Sequence, residues 1–351
     1  MIQAARDLTT GNGEAVTLAD ALGRGGEGTV YALAGDASRV AKLYHQALDS
    51  DRAAKLATMV AATNPRLLDY AAWPTATVHL GSGGPVCGLV MPRVVGAREV
   101  HELYGPAHRK RLFPGADWAF LVRAARNLAC AFEAVHAVNA VIGDVNQGNV
   151  LVSPQATCAL IDCDSFQIRG GERIYPCEVG VPAFTPPELQ GRPFRELVRT
   201  TNHDHFGLAV LIFHLLFMGR HPFAGRYTGG DLPIEQAIAQ FRFAYGPGAA
   251  ARRMAPPPAT LPLEACGPEV GALFERAFGE VGVIEGRPTA REWTNALESL
   301  GSRLRTCSRQ GAHRYWGELN ACPWCRLESA AGTLYFLVQT TVTAGGSSFS
   351  L

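Results

Sequence analysis

The chain lacks an excess of either charge. Its 32 lysines and arginines stand against 31 aspartates and glutamates, a formal +1. That balance draws the protein neither to nucleic acid nor to an anionic membrane, and neither is expected as a partner. A long apolar run is missing too. The most apolar stretch, residues 206–218, is interrupted by His214 and is too short to span a bilayer comfortably, so a buried helix is expected there. The opening residues, MIQAARDLTTGNGEAV, have neither a basic start with an apolar core nor a small-residue cleavage site, and no secretory signal is expected. Disulfide spacing is also absent. The nine cysteines, an odd number, mostly stand singly among apolar neighbours, where a reduced thiol is the default. Together these absences predict a cytoplasmic protein in a reducing compartment.

What is present has the length and apolar content for two or three structural units. Strand-like runs at 16–18, 30–33 and 40–44 surround a glycine-rich turn, and residues 51–62 repeat at helical spacing with Leu56, Met59 and Val60 on one side. Strand character returns at 78–80 and 88–95. Beyond Gly96 the pattern becomes helical, most clearly at 118–139 and 207–218. Runs at 150–152 and 159–161 flank a turn-rich SPQAT segment and predict a hairpin. After Leu304 cysteine, histidine and tryptophan gather. No internal repeat is visible.

Three groups of residues carry chemistry. The first is GRGGEGTV at 23–30, in which Gly23, Gly25, Gly26 and Gly28 would let backbone N–H groups approach phosphate oxygens. Alone it divides evenly between a phosphate cradle and an ordinary turn. A β-branched residue follows it, where a dinucleotide-binding fold would open a helix. Lys42, in an apolar strand fourteen residues after Gly28, is either a solvated edge residue or a point charge for phosphates. The second group is GDVNQGN at 143–149 followed by IDCD at 161–164. The third is Cys307, His313, Cys322 and Cys325, spaced C-x5-H-x8-C-x2-C, a donor set that suits tetrahedral zinc. A redox Cys-x-x-Cys pair and incidental cysteines are the alternatives. Arg303, Arg305, Arg309, Arg314 and Arg326 make this region basic, which fits either a docking face or a solvated one.

With these residues in place the chain resembles the protein kinases. The resemblance continues through GVPAFTPPE at 180–188, HDHFGL at 203–208 and GRPTA at 286–290, so that six motifs occur in order between residues 22 and 290. It implies an α+β, two-lobed protein-kinase-like fold with a small β-rich lobe at 14–94 and a larger helical lobe at 95–302. A zinc knuckle at 303–328 and a tail at 329–351 would follow. The glycines and Val30 would cover ATP, Lys42 would hold its α- and β-phosphates, and backbone from Met91 to Val94 would meet adenine. Asp144 would orient or deprotonate the attacking hydroxyl, while Asn149, Asp162 and, within reach, Asp164 would hold Mg²⁺. Glu188 would pair with Arg287, and Asp204 would brace the catalytic loop.

The chain also departs from that pattern. Ile142-Gly143 stands where His-Arg is usual, Asn146 replaces a lysine, and Cys163-Asp164 replaces Phe-Gly. No glutamate occurs between Lys42 and Met91, and Asp51 is the nearest acidic substitute for the usual helix-borne partner of Lys42. The spelling around Asp144 and Asp162 is also similar to that of aminoglycoside kinases. The nearest resemblance is to a bacterial group of atypical protein kinases often encoded beside a phosphatase and a von Willebrand-type protein, which become the expected partners. The resemblance therefore implies phosphoryl transfer from ATP to a protein serine or threonine hydroxyl. A nucleotide-binding pseudokinase and a small-molecule kinase stand as alternatives. An open shelf formed by residues 167–188 would suit a peptide, and an enclosed acidic pocket would suit an aminoglycoside.

Overall fold

The computed structural model describes residues 7–338 and the backbone of two strands beyond them, at Thr341–Ala344 and Ser347–Ser350. The first part is an antiparallel sheet of β1 (Leu8–Thr10), β2 (Leu18–Arg24), β3 (Gly28–Leu33), β4 (Asp36–Tyr44), β5 (Ala76–Leu80) and β6 (Val86–Pro92), in the order β1-β5-β6-β4-β3-β2. Helix α1 (Ser50–Ala61) and the short α2 (Pro65–Leu68) interrupt it between β4 and β5. Asp49 starts α1 by accepting from the Arg52 N–H at 2.7 Å, and Leu56 and Met59 are the residues it buries. Strand β1 has no counterpart in the sequence reading. Three residues, LTT, are too few to show alternation, and they become a strand only by pairing with β5.

The remainder is mixed but mainly helical. A two-residue strand β7 (Arg98–Glu99) leads to α3 (Val100–Tyr104), α4 (Pro106–Leu112) and the long α5 (Trp118–His136). Asp117 caps α5 through the Phe120 N–H, and the chain leaves the helix at Asn139, which adopts φ 56°. Short strands β8 (Ala140–Val141), β9 (Val150–Val152), β10 (Cys158–Leu160), β11 (Gln167–Gly170) and β12 (Arg173–Tyr175) follow. The predicted hairpin is β9–β10, with its second strand one residue earlier than expected. Helix α6 (Thr201–Leu216) is buried on every side from 204 to 216, as its near-continuous apolar sequence requires. Helix α7 (Ile234–Ala239), the strand pair β13 (Arg226–Tyr227) and β14 (Met254–Ala255), α8 (Gly267–Phe278) and α9 (Ala290–Ser302) complete this part.

A hairpin of β15 (Leu304–Thr306) and β16 (Arg314–Trp316) then leads to α10 (Pro323–Ala331). The last strands, β17 (Thr341–Ala344) and β18 (Ser347–Ser350), pair with each other. The rest of the tail, residues 339–340, 345–346 and 351, lies outside the described residues. No helix among the described residues is long and apolar enough to cross a membrane.

Two apolar clusters hold the chain together. A small one, Leu8, Leu43, Val78, Cys87 and Val90, covers one face of the sheet. The large one runs from Tyr44, Leu56 and Leu89 through α5, α6, α8 and α9 to Trp324 and Phe336. The sheet is tied to the helical part by main chain as well: Ala72 N–H donates to Leu160 O and Leu160 N–H to Tyr70 O, each at 2.8 Å. These bonds fix β10, and with it the residues that follow.

Deep in the helical part Arg287, with a fully buried side chain, grips Glu188 through two parallel bonds of 2.7 and 2.8 Å. Burial opposes ionisation of Glu188, but Arg287 outweighs it and holds the carboxyl below its usual value. The pair's contribution is therefore complete above the ordinary glutamate pKa of about 4.3 and is lost as pH falls through the lowered folded value. Glu188→Gln is expected to cost about 3 kcal/mol in urea unfolding at pH 7, because it leaves a buried guanidinium without its counter-charge. A loss below ~0.5 kcal/mol, the range of ordinary surface substitutions, would show that the pair does not hold this region.

Candidate active site

The glycine-rich segment turns between β2 and β3, where Gly25 N–H bonds Gly28 O at 2.9 Å. None of Gly23, Gly25, Gly26 and Gly28 adopts a positive φ, so their need is for space rather than handedness. A Cβ on Gly28 would lie 2.6 Å from Leu43 O, and Gly28 is what lets β4 approach. A Cβ on Gly23 or Gly26 would meet nothing within 4 Å. The loop is thus open on one side, and backbone N–H groups there are accessible to an anion. Val30 pairs with Lys42 across β3–β4, and Met91 pairs with Val40 at the end of β6. Val94, two residues past β6, lies in the connection to β7.

Below the loop, the segment after α5 is held by Asp204 at the start of α6. This buried carboxylate accepts the N–H groups of Ile142 (2.7 Å) and Gly143 (2.9 Å), and His136 Nε2 lies 3.0 Å from it. The arrangement spends both carboxylate oxygens on the backbone just before Asp144. Asn149 Nδ2 then donates to Asp144 Oδ2 at 3.1 Å and to Asp144 O at 3.0 Å, which turns its carbonyl oxygen to the other side. Asn146, at the position where a lysine is usual, donates to Asp144 O and accepts from Gly148 N–H. It shapes the turn.

Gly143 has a concrete reason to be glycine. Its φ is +72°, and a Cβ there would sit 2.7 Å from Cys177 Cβ and 2.8 Å from Arg199 Nη1. The guanidinium that overlies this position therefore comes from Arg199, which the sequence reading did not single out. Arg199 is 4% exposed, donates to Val179 O at 2.6 Å, and stacks on Phe194. No spacing rule links residues 143 and 199; only the path of the chain brings them together.

Ile161 N–H donates to Asn149 O at 3.0 Å, which sets Asp162 beside the Asn149 loop. Asp162 itself adopts φ 53°, ψ 35°, a left-handed conformation that aspartate and asparagine tolerate better than other side chains. Its side chain is 60% exposed, and Oδ1 lies 3.6 Å from Lys42 Nζ. A continuous set of contacts thereby runs from Asp144 through Asn149 and Ile161 to Asp162 and Lys42, bringing an exposed carboxylate beside an ammonium. Hard oxygen donors of this kind fit magnesium, and the adjoining ammonium fits phosphate.

Asp164, the further candidate for the metal, faces Lys42. Its side chain is only 5% exposed and both its oxygens face Lys42 Nζ, at 2.9 and 2.8 Å, while Tyr44 Oη donates to Oδ2 at 2.7 Å. Burial disfavours both charges, yet each partner offsets the loss for the other: Lys42 is held above its ordinary pKa and Asp164 below its own. Asp51, the suggested acidic substitute, pairs with Arg173 instead.

The Cys/His group forms a second centre. The β15–β16 hairpin carries Cys307 and His313, and the start of α10 carries Cys322 and Cys325. Their ligand atoms all lie within 4.8 Å of one another. Cys307 and Cys325 sulfurs are 3.6 Å apart, and His313 Nδ1 is 3.5 Å from the sulfurs of Cys322 and Cys325. A tetrahedron with metal–sulfur distances of about 2.3 Å has edges near ~3.8 Å, so the four donors fit one zinc ion. Glu328 Oε2 lies 3.1 Å from His313 Nε2, off the line of a good hydrogen bond, and Glu328 Oε1 accepts the Tyr335 N–H. Trp324 is fully buried against Trp118 and Phe336. The cluster shares the main core. An open hollow of about 380 Å³ adjoins it, lined by Arg309, His313 and Glu328, and the cleft chemistry lies elsewhere.

No family model matches the chain. It is 45% identical over 343 residues, 96% of its length, to Protein kinase YegI of Escherichia coli (strain K12). It is likewise 45% identical over 344 residues to Protein kinase YegI of Escherichia coli O157:H7. In both cases it covers 53% of the other protein, so the chain spans about half the length of the curated relatives it matches. The chain is similar, along almost all of its own length, to bacterial proteins named as protein kinases.

Proposed function

We propose that this chain is an ATP- and magnesium-dependent phosphotransferase of the two-lobed protein-kinase type, acting on a protein serine or threonine hydroxyl. One observation carries the reading. Asn149 bonds the Asp144 carboxylate and, through its own carbonyl, the residue before Asp162, while Asp162 faces Lys42 under an open glycine loop. The similarity to proteins named as protein kinases supports it.

The roles follow from position. Lys42 meets the α- and β-phosphates as a point charge, and the N–H groups of residues 23–28 lie over them. Asn149 and Asp162 hold the cation. When bound, magnesium neutralises charge on the transferring phosphoryl group. Asp144, fixed by Asn149 on one side and by the Asp204-bound backbone on the other, orients the acceptor hydroxyl and takes its proton. A peptide substrate is favoured over an aminoglycoside by the exposure of much of the segment after Asp162, Arg169, Glu172, Arg173, Glu178 and Val179 among it. The pseudokinase reading draws on the absence of a glutamate between Lys42 and Met91 and on the altered residues around Asp144. A cognate phosphatase and a von Willebrand-type protein are the partners proposed from the resemblance.

Asp144→Asn is expected to lower transfer of labelled phosphate from ATP by about 10²–10⁴-fold while leaving Mg–ATP affinity intact. Asp162→Asn is expected to remove the magnesium-dependent part of that affinity. Wild-type protein that is stabilised by Mg–ATP yet transfers phosphate to no protein across a broad panel would favour the pseudokinase.

The Cys/His cluster is assigned to structural zinc, with four ligands and no position left for catalysis. Metal analysis is expected to find one zinc per chain, lost in Cys325→Ser together with several degrees of thermal stability. Glu328→Gln is expected to weaken zinc retention against a chelator by about 10–100-fold, through the loss of the negative charge 3.1 Å from His313 Nε2. Purified wild type free of zinc and equally stable with chelator would refute the assignment.

A further inference from the structure

The lysine that meets phosphate needs an acid to hold it; the sequence offers no glutamate between residues 42 and 91, and Asp51 on α1 is paired with Arg173. The inward side of α1 is basic instead. Lys55 donates to Ser165 O at 3.1 Å and lies 3.4 Å from Pro176 O, so the helix grips the chain beyond the cleft. The acid arrives from the opposite wall. Asp164 sits two residues after Asp162 in the same tight turn, with both oxygens on Lys42 Nζ and Tyr44 Oη closing the third side. The turn is anchored on each side of Asp164, by Cys163 at 1% exposure and by Phe166 at 0%, which packs edge-on against Trp73. A carboxylate enclosed in this way has its lone pairs committed to protein donors.

We infer that Asp164 is the positioning residue for Lys42, supplying from the metal-binding turn the carboxylate that aims the ammonium at the triphosphate, and that helix α1 is thereby released from that task. This rests on the nucleotide-binding reading above. It ties the alignment of Lys42 to Asp162 through two residues of chain: whatever moves the turn moves the lysine and the metal carboxylate together. Helix α1, through Lys55, is coupled instead to the segment between Ser165 and Pro176.

The test is a double-mutant cycle in the full chain between Lys42→Met and Asp164→Asn, read as Mg–ATP affinity by calorimetry across a magnesium titration. Asp164→Asn is expected to weaken Mg–ATP binding by on the order of tenfold, the worth of a charge-assisted bond, and to add nothing further once Lys42 is gone. The magnesium concentration for half-maximal nucleotide binding stays at its wild-type value in Asp164→Asn and rises in Asp162→Asn. Tyr44→Phe, a milder change, weakens binding in the same direction and is silent in the Asp164→Asn background. Lys55→Met leaves Mg–ATP affinity unchanged. Additive losses in the cycle, or a magnesium shift in Asp164→Asn matching that of Asp162→Asn, would place Asp164 among the metal ligands and overturn the inference. A loss in Lys55→Met as large as in Asp164→Asn would return the alignment to α1. Wild-type protein that binds no Mg–ATP sinks the phosphotransferase reading itself; coupling of residues 42 and 164 that then persists in urea unfolding would leave the pair a structural bond only.

Discussion

An ammonium and a carboxylate cannot be buried apart, and the cleft is organised around that constraint. Lys42 lies inside an apolar sheet and Asp164 inside a turn of the helical part, each almost closed to water. Separately each charge would be costly to bury; together, with Tyr44 as a third partner, they are held at short range in a low-dielectric setting. The bond therefore fixes how the sheet meets the turn that carries Asp162. Main-chain bonds between residues 70–72 and Leu160 secure the same junction a few residues upstream.

A second buried acid governs the other wall. Asp204 makes no ion pair with a lysine or arginine among the described residues; its oxygens accept from two backbone N–H groups, with His136 Nε2 3.0 Å away. That demand bends residues 142–143 into a conformation only glycine accepts at 143, and the space a side chain would fill is taken by Cys177 and Arg199. The guanidinium beside this glycine comes from residue 199.

The C-terminal cluster is integrated with the helices rather than appended to them. Trp324 fills the space beside Trp118, and Arg109, 1% exposed, donates to Tyr335 O and stacks on Phe336. Arg109 has only carbonyls, a sulfur and an aromatic face for partners among the described residues, and burial lowers its pKa to about 10. The Cys/His group, Glu328 and residues 335–336 form one connected brace on α4 and α5.

Much of this was legible from the order of residues. The glycine loop, the strand bearing Lys42, the spacing of Asp144, Asn149 and Asp162, and the four Cys/His side chains are local patterns, fixed by which residue types stand a few positions apart. Helix α6 was legible for the same reason, since an apolar run broken only by His214 has one stable destination. What the sequence could not determine was which buried charge meets which. Asp164 reads as a further metal ligand when only its distance from Asp162 along the chain is known, and Asp51 reads as the nearest substitute acid. Only the tertiary structure decided that Asp164 turns inward to Lys42, that Asp51 turns outward to Arg173, and that Arg199 overlies Gly143. These pairings join residues 56 to 122 positions apart. Charge burial is settled by the whole fold, where every ionised group closed off from water must find a partner wherever the chain happens to bring one.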